Sequence, residues 1–152
     1  RGNFESLEKG VLAGNWPEMD AARGKFLFVL DESEEKIRRY LTQKPELKNA
    51  VLFVNLKEGN PEAGFRIIND PVANETYIQD LVRLGYIIRT RADSDTKEAR
   101  TGDYGKFEKA KTSGAQVIST DYYLPSRLFP SDYSVSFENR SFVRPNPILN
   151  QQ

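Results

Sequence analysis

Arg89, Arg91 and Asp93 stand two residues apart at the end of the run Tyr86-Ile87-Ile88-Arg89-Thr90-Arg91, so on an extended strand their side chains share one face, with Thr90 and Ala92 on the other. Two guanidiniums beside a carboxylate can grip a phosphate, because Arg offers a planar fork of donors that matches anionic oxygens. The same triplet can instead be an ion-pair network at a strand end, with Arg89 or Arg91 pairing with Asp121 or Asp31. Residue types alone leave both readings open. Ser119, Asp121 and Tyr123 share a face in the same way. A carboxylate there could orient a base, and a Tyr ring could stack on a polyol ring or hydrogen-bond it. Ser-Thr-Asp is equally an ordinary way to end a strand and cap a turn.

What is missing narrows the chemistry further. The sequence has no Cys and no His. Disulfides, thiolate catalysis and Cys-built zinc or iron-sulfur sites are excluded, and so are the commonest general acid-base and the imidazole metal ligand. Chemistry by this chain alone would run on carboxylates, Lys, Arg, Tyr or Ser. Asp93-Ser94-Asp95 opens like a calcium-binding loop but lacks the Gly and terminal Glu such a loop requires, so Ser94 or Asp95 reads as a helix cap. Asn74-Glu75-Thr76 and Asn139-Arg140-Ser141 match the glycosylation pattern, which matters only in a secreted chain.

The elements that must position these residues are short apolar runs between turn signals. Phe26–Leu30 is continuous rather than alternating, as a parallel strand covered on both faces should be. Ala50–Asn55, Phe65–Asn69, Tyr86–Arg91 and Ala115–Thr120 read as four more strands. Ser33 is placed to cap a helix carrying Ile37, Tyr40 and Leu41 on one face, and Asn74 to cap another carrying Tyr77, Ile78, Leu81, Val82 and Leu84 up to Gly85. A third helix runs from about Asp103 to Gly114, whereas the second and third strands leave little room for one between them. From Tyr122 the chain changes: Pro125, Pro130, Pro145 and Pro147 break it, and a short hairpin is expected around Tyr133 to Phe142. Residues 122–152 read as a closing segment of a single domain spanning 1–152.

Composition sets the outer bounds. The chain has 152 residues, 38% of them hydrophobic, with 22 basic against 22 acidic side chains. This is one globular domain's worth, without the basic excess that wholesale nucleic-acid binding needs. No apolar run reaches the roughly 18 residues of a membrane span. The first residue is Arg1 and the opening stretch lacks a signal-peptide pattern, so the chain reads as one without its true N-terminus. Alternating strands and helices give an α/β fold, either an open doubly wound sheet or part of a (β/α) barrel. Polar residues recur at the strand ends (Asp31, Asn55, Asn69, Arg89, Arg91, Asp93, Asp121, Tyr123), where barrel active sites are built, and no Gly-rich phosphate loop appears.

Several blocks together carry a resemblance. Trp16-Pro17, Arg23-Gly24-Lys25 and Val29-Leu30-Asp31 are followed by Arg89-Thr90-Arg91-Ala92-Asp93, Glu98-Ala99-Arg100, Ser113 through Tyr122, and Arg144-Pro145-Asn146-Pro147. In that order they resemble the C-terminal part of the calcium-dependent phosphoinositide-specific phospholipase C-like proteins of bacteria and fungi. The resemblance implies a TIM-type barrel of which this chain would hold the fourth to eighth strands, a complete barrel needing about 250 residues. It implies that two histidines act as base and acid for attack of the inositol 2-hydroxyl on phosphorus, with calcium stabilising the charge. Those histidines and most calcium ligands would lie in a missing N-terminal part. Arg91 with Arg89 would then contact phosphate or inositol hydroxyls, Asp93 would position Arg91, Asp121 would hold a histidine in its tautomer, Tyr123 would border the ring pocket and Asp31 could sit near the metal. Pro145 stands where the family suggests Cys.

On this reading the isolated chain is catalytically inactive and its parent is a secreted phosphodiesterase. An unclosed barrel would also tend to form a homodimer. A non-enzymatic anion or sugar binding module and a glycerophosphodiester phosphodiesterase are the alternatives.

Overall fold

The computed structural model describes residues 3–149. The chain divides into two compact units, one made of residues 1–67 and 84–87, the other of 68–83 and 88–152.

The first unit begins with α1 (Leu7–Leu12), where the Ser6 hydroxyl accepts a hydrogen bond from the Lys9 amide at 3.1 Å, and a single turn α2 (Met19–Ala22). β1 (Phe28–Leu30) leads into α3 (Glu34–Gln43), which starts after Ser33 with Glu34 and Glu35 at its positive end. β2 (Leu52–Val54) lies parallel to β1 with Phe28 beside Leu52 and Leu30 beside Val54. β3 (Phe65–Ile67) follows with no intervening helix, and a parallel bridge ties Asn55 to Phe65. The Asn55 side chain secures that junction by accepting from the Ile67 amide at 3.1 Å and the Arg66 guanidinium at 2.9 Å.

The short return 84–87 closes the unit. Gly85 adopts φ +94°, and a Cβ there would stand 2.7 Å from the Val11 carbonyl oxygen, so only glycine fits. Around it the Trp16 indole donates to the Gly85 carbonyl at 2.7 Å and the Tyr86 hydroxyl donates to the Glu8 carboxylate at 2.5 Å.

One expectation for this unit is corrected. Phe26–Leu30 is not covered on both faces: Phe26 is 87% and Phe28 53% exposed. The reason is topological, since among the described residues β1 pairs with β2 alone. The two N-terminal helices carry little periodic signal and were not expected from the sequence.

The second unit holds α4 (Pro71–Arg83), β4 (Ile87–Arg91) from Ile88 onward, α5 (Lys97–Thr101), α6 (Gly105–Thr112) and β5 (Val117–Ser119). β4 and β5 are parallel, with Arg89 beside Val117 and Arg91 beside Ser119. α4 begins earlier than the Asn74 cap predicts. Asp70 is the capping residue, its carboxylate accepting from the Val72 and Ala73 amides at 3.0 and 3.2 Å, and Pro71 takes the first helical position, where its missing N–H costs nothing. Asn74 instead donates its amide to the Asp70 carbonyl and departs from helical geometry. The helix expected over 103–114 forms as α6, and the short α5 precedes it, ended by Gly102, left-handed at φ 68°.

α4 and α6 pack together through Glu75, which bonds Lys109 at 2.7 Å and the Thr112 hydroxyl, and through Gln79, which donates to the Thr112 carbonyl. Ala92, Ala99, Phe107, Tyr122, Tyr133 and Val135 form the core, with Ile118, Phe129 and Phe137 against it. The closing segment thus gives its aromatics to the core. No hairpin strands form there: the chain reverses through a 3-10 turn at Glu138–Arg140, closed by the Phe137 amide donating to the Ser141 carbonyl at 2.7 Å. The architecture is α/β with short parallel strands, and no barrel closes among the described residues.

Candidate functional site

β4 sorts its side chains as its alternation predicts. Ile88 and Thr90 are buried on the side of the core, and Arg89 and Arg91 are half-buried on the opposite face. β5 continues that face, because the register sets Ser119 beside Arg91 and Asp121 follows two residues on. The strand ends are tied by the Ala92 amide donating to the Ser119 carbonyl at 2.9 Å and by the Ser119 hydroxyl donating to the Thr90 carbonyl at 3.2 Å.

Asp93 is the buried charge of the site, only 4% exposed. Its carboxylate accepts from the Thr120 hydroxyl and, at 3.2 Å, from the Asp121 amide. Thr120 passes the connection on, accepting from the Tyr122 amide at 2.9 Å, while the Tyr122 hydroxyl donates to the Asp95 carbonyl at 3.2 Å. A carboxylate removed from water needs such partners. The result is a fixed turn at the end of β5 that sets where Asp121 and Tyr123 emerge. The Asp93 charge also reaches into the core: burial first, then the Asp93 and Glu98 carboxylates, pushes the Tyr133 phenol well above its ordinary range.

Arg89 donates to the Asn69 side-chain carbonyl at 2.7 Å. Arg91 has no hydrogen-bond or ion-pair partner among the described residues, and the same holds for the Asp121 carboxylate, which is exposed. Tyr123 is exposed, as its alternation with buried Tyr122 requires. Arg89, Arg91, Asp93, Asp121 and Tyr123 therefore gather in the second unit, at neighbouring ends of two paired strands. Asp31 is exposed and belongs to the first unit.

Two contributors went unrecognised in the sequence. Thr120 reads as a strand residue between Ser119 and Asp121, and nothing local marks it as the partner of a residue 27 positions away. Asn69 is visible as a polar strand end, but its pairing with Arg89 depends on which strands come together.

A half-buried guanidinium with no partner is suited to hold an anion. A calcium centre is a different matter. Among the described residues no group of three or more Asp or Glu side chains could hold a metal ion.

Over residues 1–147 the sequence matches the family described as phosphoinositide phospholipase C, Ca2+-dependent. No curated protein and no solved structure matches the chain.

Proposed function

The chain belongs to the Ca2+-dependent phosphoinositide phospholipase C family, and from that premise we propose that it is the C-terminal, phosphate-gripping part of a phosphodiesterase acting on phosphoinositide-type phosphodiesters. The observation that carries this reading is Arg91, half-buried in register with Ser119 and without a partner of its own. Leaving a guanidinium unpaired beside the sheet is costly unless an anion completes it.

In this reading Arg91 and Arg89 hold the phosphate oxygens and fix the diester against the end of the sheet. Asp93, through Thr120 and the Asp121 amide, holds the turn that presents Asp121, whose carboxylate orients a base supplied from outside this chain. Tyr123 borders the inositol ring. The five short strands are the later strands of a TIM-type barrel in a secreted parent enzyme. Proton transfer near neutrality needs a group titrating there, and the sequence contains no histidine. The isolated chain therefore binds without cleaving.

Titration with myo-inositol 1-phosphate, followed by calorimetry, tests this. Hydrogen bonds to a charged partner contribute about 1.5–3 kcal/mol, so Arg91→Ala should weaken binding roughly 10- to 150-fold. Unchanged affinity in that variant would refute the phosphate role. The absence of histidine also favours a second reading, an anion-binding module that never hydrolyses. Phosphorus NMR separates the two: cyclic inositol phosphate formed when a histidine-bearing family N-terminal part is added supports the enzyme, and none supports the module.

A further inference from the structure

The sequence holds two Asn-X-Ser/Thr triplets, Asn74-Glu75-Thr76 and Asn139-Arg140-Ser141, and the phosphate site uses neither. The structure treats them differently. Asn74 is half-buried in the first turn of α4, and its side-chain amide donates to the Asp70 carbonyl at 2.9 Å. Glu75 of the same triplet already bonds Lys109 and Thr112 across to α6. A sugar on Asn74 would crowd the start of α4, where one of the two N–H groups it needs free is in use.

Asn139 is exposed, and its side chain has no hydrogen-bond partner among the described residues. It stands at the tip of a tight turn with φ 56° and ψ 29°, followed by Arg140 at φ 58°. Asparagine is one of the few residues other than glycine that enters this left-handed region readily. The turn is closed by backbone bonds, from the Ser141 amide to the Glu138 carbonyl at 3.1 Å and from the Phe137 amide to the Ser141 carbonyl at 2.7 Å. None of them passes through the Asn139 side chain, so the turn loses nothing when that amide is substituted. Beside it, Phe142 and Val143 are 64% and 81% exposed, apolar surface that a bulky, solubilising sugar would cover.

The turn also stands clear of the phosphate face. Phe137 stacks on Phe107 of α6 and packs on the core that contains Ala92 and Ile118, which alternate with Arg91 and Ser119 along their strands. It therefore lies on the helix-bearing side of the sheet, which becomes the outer ring in a closed barrel. All of these residues belong to the second unit.

We propose that Asn139 is an acceptor site for an N-linked sugar in the folded chain and that Asn74 is not. The Asn139 Nδ2 bonds the anomeric carbon of a sugar activated as a glycosyl diphosphate, the C–O bond to the diphosphate breaks, the diphosphate leaves with the electron pair, and the amide proton passes to a base of the transferase. In a living cell the event rests on the reading of the parent as a secreted protein, because that route meets lipid-linked oligosaccharide donors.

The site is tested without that reading by incubating the purified folded chain with a soluble N-glucosyltransferase and UDP-glucose. Peptide mapping by mass spectrometry should find one hexose, on Asn139. Asn139→Gln and Ser141→Ala should abolish it, Ser141→Thr should keep it, and Asn74→Gln should leave it unchanged. Hexose absent from Asn139, or present equally on Asn74, would overturn the proposal. Led into the secretory pathway of a eukaryotic host, the secreted chain should carry an oligosaccharide that peptide N-glycosidase removes, with the mass change of Asn139→Asp. A bare secreted chain would also overturn it. The location of the natural parent is a separate readout: a parent found only inside the cell refutes the secretion reading, while hexose transfer to Asn139 still supports the site.

Discussion

Replacing Asp93 separates a residue that holds the fold from one that serves the phosphate grip. Its carboxylate accepts two hydrogen bonds in a site that is 4% exposed, one from the Thr120 hydroxyl and one from the Asp121 amide at 3.2 Å. Bonds to a charged acceptor contribute about 1.5–3 kcal/mol each, and the longer one belongs at the low end. In Asp93→Ala the Thr120 hydroxyl and the Asp121 amide both lose their acceptor, so the loss should be about 3 kcal/mol. For a chain of this length about 2–4 °C accompanies each kcal/mol, which gives a fall in Tm of about 6–12 °C. Asp93→Asn keeps one acceptor and should lose about half as much. Thr120→Val cuts the same bond from the other side and also removes the acceptor of the Tyr122 amide. Combining it with Asp93→Asn should give a coupling of about 0.5–3 kcal/mol, as for groups in direct contact. Urea unfolding followed by circular dichroism measures each value. A loss below about 0.5 kcal/mol in Asp93→Ala, together with collapse of inositol phosphate binding to the level of Arg91→Ala, would refute this reasoning and make Asp93 a partner of Arg91 instead.

Other consequences are simpler. Gly85→Ala should destabilise by about 1–3 kcal/mol or more, because a left-handed φ and a backbone oxygen 2.7 Å away both oppose the methyl group; denaturant melts would show it. The Glu75 carboxyl is held below its ordinary value of 4.5 by hydrogen bonds from Lys109 and Thr112. A depressed carboxyl contributes stability above its unfolded value and loses it as pH falls through the folded one. The stability difference between wild type and Glu75→Gln should thus be present at neutral pH and vanish on acidification below that range.

The sequence disclosed the existence of the five strands and the face that carries Arg89 and Arg91, because both follow from short-range alternation. Boundaries were less visible. The Asp70-Pro71 pair is a local start signal outweighed on paper by Asn74, and α5, only five residues long before Gly102, is too short to show a helical periodicity. Burial of β1 was not legible, since a continuous apolar run looks the same whether its strand is central or at an edge. In the site, side chains on one strand could be grouped from spacing alone. The link from Asp93 to Thr120 could not, because it depends on the register between β4 and β5.

The interleaving of the two units along the chain has a kinetic consequence. The first unit is not complete at residue 67; it needs 84–87, where Gly85 and Tyr86 accept and make the bonds to Trp16 and Glu8. Those residues follow α4, which belongs to the other unit. During synthesis at about 5–20 residues per second, the amino-terminal unit must wait about 1–4 s after residue 67 before its closing segment exists. For that interval the partly built unit lacks its clasp, so the nascent chain is most exposed to pairing errors just before Tyr86 arrives.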